Sequence, residues 1–310
     1  MVQANKFNLT ECAKPFVKWA GGKGQLLDTF TKYYPSMLIE GRIRRYIEPF
    51  VGGGAVLFEV LQKYGIDEAY IFDINEDLIN TYIVIKNNVE SLIDYLSRLE
   101  YEYLKLTKDG RKEMYYEIRD LYNSYNLKKN PQDIERAAQL IFLNRTCFNG
   151  LYRVNRAGFF NVPHGSYKNP TICDEKNLYA VSSLLQRVHI FCSDYTECFK
   201  YADKNSFVYF DPPYRPLNGT SSFTSYSKYD FTDEDQVQLA QFFEKVNDTG
   251  ALLMLSNSDP KNENPDDNFF DELYRKFYIH RVKAKRVINS NGGRRGLISE
   301  ILVTNYEVEY

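Results

Sequence analysis

Short apolar segments of strand character alternate with amphipathic helical segments in two separate blocks of this chain. The first block comprises RYIEPF, a helical AVLFEVLQKY, AYIFD and a helical EDLINTYIVIKNN. The second comprises VHIFCSD, FVYFD, a helical DEDQVQLAQFFEKV, ALLMLSN, a helical FFDELYRKF and the strand-like runs YIHRVKAKRVI and LISEILVTNY. This alternation predicts a largely parallel α/β sheet with helices on both faces. The last two runs, joined by NSNGGRRG, predict a hairpin, so one strand should be antiparallel.

The texture of the sequence changes between the two blocks. Three charged helical segments, VESLIDYLSRLEYEYLKL, RKEMYYEIRDLYNSY and DIERAAQLIFLNR, lead there into the Gly-, Asn- and Pro-rich stretch FNGLYRVNRAGFFNVPHGSYKNP. A chain of 310 residues is long enough for one large domain or two modest ones. We therefore predict a sheet domain formed by residues 1–87 and 188–310, with a second domain, residues 88–187, inserted into it.

Composition argues against a membrane-spanning, secreted or metal-binding protein but does not indicate a particular function. The apolar fraction of 44% and the charged fraction of 26% are typical of a globular protein, and the net charge of −2 does not indicate a nucleic-acid partner. No apolar run approaches the roughly eighteen residues that a membrane-spanning helix requires, and the N-terminus lacks the apolar core of a signal peptide. Five cysteines without a CxxC pair and three scattered histidines favour reduced thiols in a cytoplasm and argue against a metal site.

The run YIEPFVGGGAV contains three glycines between a strand that ends at Glu48 and a helix. Glycines at such a turn allow a ligand to approach the backbone closely, although a tight turn that needs only positive φ is the simpler explanation. About twenty residues later, the second strand ends at Asp73, where a carboxylate can accept hydrogen bonds from ribose hydroxyls. The spacing is neither GxGxxG nor that of a phosphate-binding loop. The pattern therefore predicts a nucleoside-bearing ligand without requiring a pyrophosphate.

The stretch FVYFDPPYRP ends an apolar strand on Asp211 and follows it with two prolines and Tyr214. A helix cap followed by a proline turn would explain this shape by itself. It would not explain the tyrosine, nor the other motifs that accompany it.

Four motifs, PFVKWAGGK, EPFVGGG, FDIN and DPPY, occur in an order and spacing that resemble the Dam-type DNA adenine-N6 methyltransferases. In this group the target-recognition segment lies between the cofactor motif and DPPY. The likeness extends over nearly the whole chain and includes NRTCFNGLYRVN, NVPHGSYKNP, TSSFTSY and the SNGG turn. It implies a mixed seven-stranded, Rossmann-like sheet and an inserted, mostly helical target-recognition domain with a β-hairpin. It also implies S-adenosyl-L-methionine as cofactor and double-stranded DNA as partner.

The resemblance gives the DPPY residues a chemical role. The exocyclic amine of adenine is a poor nucleophile, so its position relative to the methyl donor supplies much of the catalysis. Asp211 and the carbonyl of Pro212 would each accept one N6 hydrogen, and Pro213 would stiffen the turn. Tyr214 would stack on a base flipped out of the helix. Asp as the first residue of the motif favours adenine as the target.

Cofactor contacts follow from the same resemblance. They fall on Trp19, Lys23, Phe50, Gly52, Gly54, Asp73, Asp194 and Asp211. Asp73 would bind the ribose and Asp194 would lie near the cofactor adenine. Lys23 would pair either with the methionine carboxylate of the cofactor or with Asp211, and the sequence leaves this choice open.

DNA contacts are predicted in two basic stretches without acids, residues 141–170 and 281–296. Within NGLYRVN…NVPHGSYK, which resembles the base-reading hairpin of GATC-specific members, Arg153 is the candidate reader of guanine, although such an arginine more often contacts only phosphate. Ser166 stands where several relatives carry a basic residue. The predicted contacts are Arg145, Phe148, Asn149, Leu151, Arg153, Asn155, Pro163, Tyr167, Lys168, Arg294 and Arg295, with Phe148 and Leu151 as wedges.

Three alternatives remain at this stage: a different DNA motif, an RNA or protein substrate, and a non-catalytic DNA-binding relative. We expect a prokaryotic or phage protein that acts in the cytoplasm without a metal and without a membrane. A monomer is the working expectation, and the sequence carries no signal on oligomeric state or on an accompanying restriction nuclease.

Overall fold

The computed structural model describes residues 12–19, 21–124, 133–215, 231–285 and 297–308. In it, the strands of both sequence blocks join one seven-stranded sheet of order β3-β2-β1-β4-β5-β7-β6. The strands are β1 (Arg45–Glu48), β2 (Glu68–Asp73), β3 (Val188–Cys192), β4 (Ser206–Phe210), β5 (Leu252–Ser258), β6 (Tyr278–Lys285) and β7 (Leu297–Thr304). The predicted mixed seven-stranded sheet is therefore confirmed.

Strand direction follows the prediction as well. Strands β1 to β5 pair in parallel, whereas β7 is antiparallel to both of its neighbours, β5 and β6. From the centre of the sheet, β2 and β3 extend to one side of β1, and β4 and β5 extend to the other side. The connections that leave β1 and β4 therefore diverge, which opens a crevice at the carboxyl ends of these strands.

Ten helices accompany the sheet in the described residues. They are α1 (Leu27–Phe30), α2 (Ser36–Ile39), α3 (Ala55–Lys63), α4 (Glu76–Asn87), α5 (Val89–Lys105), α6 (Lys108–Ser124), α7 (Ile134–Thr146), α8 (Glu175–Leu185), α9 (Asp233–Asn247) and α10 (Phe269–Leu273). None of the helices in these ranges is both long and apolar enough to cross a bilayer.

The two faces of the sheet bury separate cores, as the period of two along a strand requires. In β1, Tyr46 packs into one core and its neighbour Ile47 packs into the other. In β4, Phe207 and Tyr209 belong to the first core, while Val208 and Phe210 belong to the second. All five residues of β4 are buried, so the strand is covered by protein on both faces.

Residues 88–187 contain helices α5 to α8 and an irregular hairpin. Two isolated antiparallel bridges, Cys147 to His164 and Val154 to Phe160, hold the hairpin together. The core on the first face of the sheet continues without interruption into this segment through buried residues such as Leu92 and Phe142. The division of the chain into a sheet domain and a separate inserted domain stays a prediction.

Candidate active site

The carboxyl end of β4 places Asp211 beside a buried lysine. The ammonium Nζ of Lys23 lies 2.7 Å from Asp211 Oδ1, and the lysine is only 3% exposed. The same ammonium donates to the carbonyl oxygen of Gly21 at 2.6 Å. Ser256, on β5, donates its hydroxyl to the same Asp211 Oδ1 at 2.9 Å. Of the two partners that the sequence left open for Lys23, the structure shows Asp211.

Both donors to the Asp211 carboxylate bond one oxygen, Oδ1. In the described part of the chain, no hydrogen-bond donor reaches Asp211 Oδ2 or the carbonyl oxygen of Pro212. The next carbonyl behaves differently, because Pro213 accepts a hydrogen bond from Gln236 Nε2 at 3.0 Å. The two acceptors that remain unbonded are those that the sequence assigns to the adenine N6 hydrogens.

Burial raises the pKa of Asp211 above its ordinary value, while Lys23 and the hydroxyl of Ser256 act in the opposite direction. The two partners therefore favour the charged carboxylate in a site that would otherwise favour the neutral acid. Tyr209 extends the network, because its hydroxyl lies 2.8 Å from Ser256 Oγ.

Tyr214 is fixed between a cation and an acid. The ammonium of Lys23 lies 4.5 Å from the centroid of the Tyr214 ring, a cation–π distance. The Tyr214 hydroxyl donates to Glu300 Oε2 at 2.7 Å. Burial raises the pKa of Tyr214 well above its ordinary value, so the phenol stays protonated and acts as the donor.

Two further buried acids face this cluster and were not assigned to the site from the sequence. Glu48, the last residue of β1, accepts a hydrogen bond from the Tyr46 hydroxyl at 2.7 Å. Burial raises the pKa of Glu48 well above its ordinary value; the charge of Asp211 raises it further and that of Lys23 lowers it. Glu48 could have been assigned to the site from the sequence, because it ends β1, the neighbour of β4, and Asp211 directly follows β4. Glu300, on the C-terminal hairpin, has no such signal.

The glycine loop between β1 and α3 is packed against side chains of the chain itself. Gly52 and Gly54 adopt φ values of +47° and +72°. A Cβ on Gly52 would lie 2.9 Å from an indole carbon of Trp19, and a Cβ on Gly54 would lie 2.5 Å from the Tyr82 hydroxyl. The turn therefore needs glycine for its conformation and for close packing. Approach of a ligand to this loop stays a prediction.

Asp73, at the end of β2, lies beside this loop. Its carboxylate accepts hydrogen bonds from the backbone N–H groups of Gly52 at 3.1 Å and Asn75 at 2.9 Å. Burial raises its pKa, and the backbone donors oppose that shift. At the neighbouring strand end, the hydroxyl of Ser193 is buried and has no hydrogen-bond partner among the described residues. A buried acceptor and an unpartnered hydroxyl next to a glycine turn fit a ligand that carries hydroxyl and amine groups.

Phe50 and Asp194 lie at the same edge of the sheet. The Phe50 ring stacks on Tyr195 with centroids 5.1 Å apart. The exposed carboxylate of Asp194 accepts hydrogen bonds from the backbone N–H and the hydroxyl of Thr196, at 3.0 and 2.7 Å, and thereby caps a short 3₁₀ helix. A second role for Asp194 in cofactor binding stays a prediction.

Trp19 contacts both the glycine loop and the hairpin of residues 147–164. Its indole lies over Gly52 and stacks on Tyr152, with centroids 4.9 Å apart and an interplanar angle of 22°. Tyr152 directly precedes Arg153 in the chain. The aromatic that the sequence assigned to the cofactor site is therefore also the contact between that site and the hairpin.

Two asparagine side chains accept the hydrogen bonds that order the hairpin. Asn155 Oδ1 accepts hydrogen bonds from the backbone N–H groups of Ala157 and Phe159, both at 3.0 Å, and so shapes the turn. The guanidinium of Arg153 donates from Nε to Asn161 Oδ1 at 2.7 Å. Arg153 is half-buried, and its hydrogen bonds go to Asn161 within the hairpin.

The other predicted DNA contacts differ in exposure. Phe148 is 52% exposed, and the side chains of Asn149, Pro163 and Lys168 are also exposed, whereas those of Leu151 and Tyr167 are half-buried. Lys18, which the sequence did not single out, lies with its ammonium 3.3 Å from the Tyr167 hydroxyl.

Arg145 stands apart from this surface. Its guanidinium donates to the carbonyl of Phe16 at 2.9 Å, and burial lowers its pKa. In the C-terminal basic stretch, Arg281 is held by Asp259 and Asp271. Arg294 and Arg295 lie outside the described residues. No cluster of three or more His, Cys, Asp or Glu side chains able to hold a metal occurs within the described ranges.

Comparison with known proteins agrees with this geometry. Residues 19–288 match the family model of the D12 class N6 adenine-specific DNA methyltransferases. The chain is 55% identical over 294 residues to the type II methyltransferase M.MjaIII of Methanocaldococcus jannaschii, covering 94% of this chain and 99% of that one. It is 34% identical over 290 residues to the DNA adenine methylase of Escherichia coli K12, covering 93% and 94%. The chain belongs to the D12 class of N6 adenine-specific DNA methyltransferases.

Proposed function

We propose that this protein transfers a methyl group from S-adenosyl-L-methionine to adenine N6 in the sequence GATC of double-stranded DNA. The observation that carries the proposal is a pair of acceptors after β4, Asp211 Oδ2 and the Pro212 carbonyl oxygen, to which no group in the described residues donates. An amine with two hydrogens needs two such acceptors to hold it in one orientation.

The cofactor supplies a methyl group on a positively charged sulfur when it is bound. The carboxylate of Asp73 is available for the ribose hydroxyls, since its partners within the described residues are backbone N–H groups. Phe50, Gly52, Gly54 and Asp194 line the same edge of the sheet. Trp19 would act indirectly, by covering the glycine turn.

The residues of the chain act on the adenine by position and charge. Lys23 and Ser256 keep the Asp211 carboxylate ionised through Oδ1 and leave Oδ2 for an N6 hydrogen. Pro212 offers its carbonyl for the second hydrogen, and Pro213 is fixed by Gln236. Held between these acceptors, the nitrogen lone pair points in one direction, which reduces the entropic part of the barrier.

An adenine inside a duplex cannot reach this buried edge of the sheet, so the target base must be flipped out. The ring of Tyr214 is the candidate surface for stacking. Phe148 and Leu151, which flank Asn149 and Gly150 at the base of the hairpin, would fill the space that the base leaves in the helix.

The GATC assignment rests on the segment around Arg153 and on the likeness to relatives named DNA adenine methylase in Escherichia coli and Vibrio cholerae. Arg153 would release Asn161 and bond O6 and N7 of a guanine. Asn155 and Pro163 would support this contact, and Tyr167 and Lys168 would hold the DNA backbone. Residues 88–187 would then form the target-recognition unit.

The experiment is digestion of plasmid from expressing cells with a nuclease that GATC methylation blocks. We expect complete protection. Complete cleavage, together with N6-methyladenine mapped to another motif, would refute the GATC assignment and leave the enzyme class standing. Relatives named type II methyltransferases also suggest a setting beside a restriction nuclease in a prokaryotic cytoplasm.

A further inference from the structure

Glu300 is a buried acid next to the active site that the proposed chemistry does not use. It is 9% exposed and lies on β7, opposite Ser258 of β5. Because β7 runs antiparallel to β5, the beginning of β7 lies at the carboxyl end of β5. The C-terminal hairpin thereby carries an acid to the edge of the sheet where Asp211 follows β4.

The Glu300 carboxylate has one hydrogen-bond donor among the described side chains, the Tyr214 hydroxyl at 2.7 Å. Burial raises the pKa of Glu300, the charge of Asp211 raises it further, and Lys23 and Tyr214 lower it. An acid in such a place costs stability, and an apolar residue of similar volume would often be as favourable or better there. Packing alone therefore gives no reason for an acid at this position.

We propose that Glu300 is a positioning residue for methyl transfer, because its bond to the Tyr214 hydroxyl fixes the position of the tyrosine ring on which the target adenine stacks. The proposal rests on the proposed function, since it takes Tyr214 as the stacking surface.

Two contacts define the ring plane of Tyr214. The ammonium of Lys23 lies against the ring at 4.5 Å, and Glu300 holds the para hydroxyl. With only the first contact, the para end of the ring could swing about the Cα–Cβ bond. A base stacked on a displaced ring would carry its N6 away from Asp211 Oδ2, and a displacement of about 1 Å is enough to slow a reaction of this kind by about a hundredfold.

The chain contains a matched control for this pair. Tyr34 donates its hydroxyl to Glu59 Oε2 at 2.9 Å, and both residues are buried. Glu59 lies on α3 and also bonds Lys63 at 2.8 Å, and within the described residues no hydrogen bond or ion pair joins this pair to the Asp211 cluster. The variants Tyr34→Phe and Glu59→Ala remove the same kind of interaction without touching the hydrogen bonds of that cluster.

The test measures single-turnover methylation, cofactor affinity by calorimetry, and the fluorescence of 2-aminopurine placed at the target adenine. We expect Glu300→Ala and Tyr214→Phe each to slow turnover by about tenfold to a hundredfold, with unchanged cofactor affinity and altered 2-aminopurine fluorescence. Glu300→Gln, which keeps an acceptor, should stay within about threefold of the wild type. The double variant Glu300→Ala/Tyr214→Phe should be no slower than the slower single variant.

Four results would overturn the proposal: normal turnover in Glu300→Ala, normal turnover in Tyr214→Phe, losses that multiply in the double variant, or an equal loss in Tyr34→Phe. If Glu300→Ala does not fold, Tyr214→Phe and Glu300→Gln still decide the question. A wild-type protein that leaves adenine unmethylated would instead refute the proposed function, so the two failures can be told apart.

Discussion

The end of β4 and the hairpin of residues 147–164 differ in how their side chains are held. Around Asp211, buried partners from β5, β7 and the N-terminal segment hold each functional group: Ser256, Glu300 and Lys23. In the hairpin, two isolated bridges and asparagine side chains provide the order, and Phe148, Asn149, Pro163 and Lys168 are exposed. The functional groups of the first region are already held by the protein, whereas the second would have to change partners to bind DNA as we propose.

The difference reflects the two tasks. Acceptors for an amine work best when they are already aligned, because any reorganisation during the reaction adds to the barrier. If Arg153 reads guanine, as we propose, it has to exchange Asn161 for the base. Substitutions at the end of β4 should therefore change rates, and substitutions in the hairpin should change the choice of sequence.

The largest effect is expected for Asp211→Ala. Loss of an N6 acceptor should reduce the rate of methyl transfer by several orders of magnitude, while DNA affinity stays near that of the wild type. The buried Lys23 would lose its counter-ion, which commonly costs about 3–5 kcal/mol of stability. Single-turnover methylation with labelled cofactor and a denaturant titration measure both quantities. Near-normal turnover would remove Asp211 from the mechanism.

A second comparison separates backbone strain from close packing in the glycine loop. Gly54 and Gly41 have nearly the same φ, +72° and +70°, but only Gly54 would bring a Cβ close to a neighbour, the Tyr82 hydroxyl at 2.5 Å. Gly41→Ala should cost about 1–2 kcal/mol of unfolding free energy from the left-handed backbone alone. Gly54→Ala should cost more. Equal losses in urea titrations would show that the contact with Tyr82 adds nothing.

Cofactor affinity should distinguish the two acids at the ends of β2 and β3. Asp73→Ala should weaken binding of S-adenosyl-L-methionine by about 1–3 kcal/mol, because a charged hydrogen bond is lost. Asp194→Ala should have a smaller effect, since this carboxylate is exposed and already bonded to Thr196. Calorimetric titration of both variants provides the measurement. An unchanged affinity in Asp73→Ala would place the nucleoside site elsewhere.

In the hairpin, Arg153→Ala should relax the preference at one base pair by about 1–3 kcal/mol. Arg156→Ala, in the exposed turn three residues further on, is the matched control. If Arg156 contacts only phosphate, its loss should weaken binding to all DNA sequences alike and reduce the salt dependence of binding by about one charge. Methylation rates on a set of single-base variants of the site measure the difference. A uniform loss for Arg153→Ala would reassign this residue to the DNA backbone.

The smallest effect concerns pH and Glu300. Burial raises the pKa of Glu300 above its ordinary value of 4.5, so the folded state binds more protons than the unfolded state between these two values. Stability contributed by this group is therefore lost as the pH rises through that window. Glu300→Gln should remove the loss, so the stability of this variant relative to the wild type should increase as the pH rises above 4.5. If the difference in denaturation midpoint between Glu300→Gln and the wild type does not change with pH, the pKa of Glu300 is not raised.

The sheet was predictable because its signals are local. Alternating apolar runs gave the seven strands, and the turn between the last two gave the antiparallel direction of β7. Residues at strand ends, such as Asp73 and Asp211, were predictable for the same reason, since parallel strands bring their carboxyl ends to one edge.

Other parts of the site depend on contacts between distant segments. Nothing near Glu300 in the sequence indicates that β7 delivers it to Tyr214, 86 residues away. The burial of Arg145 against Phe16 is likewise a long-range contact, and the acid-free stretch around Arg145 made it resemble a surface residue. The packing of Trp19 over Gly52 could not be predicted either, because it depends on the backbone conformation of the glycine turn and on a contact between residues 33 positions apart in the chain.

The most direct test of the account is modified-base sequencing of DNA from methylation-deficient cells that express either the wild type or Asp211→Ala. The account predicts N6-methyladenine at GATC sites with the wild type and none above background with the variant. Methylated cytosine, or adenine methylation that persists in Asp211→Ala, would contradict the assignment of the end of β4 as an adenine-N6 site.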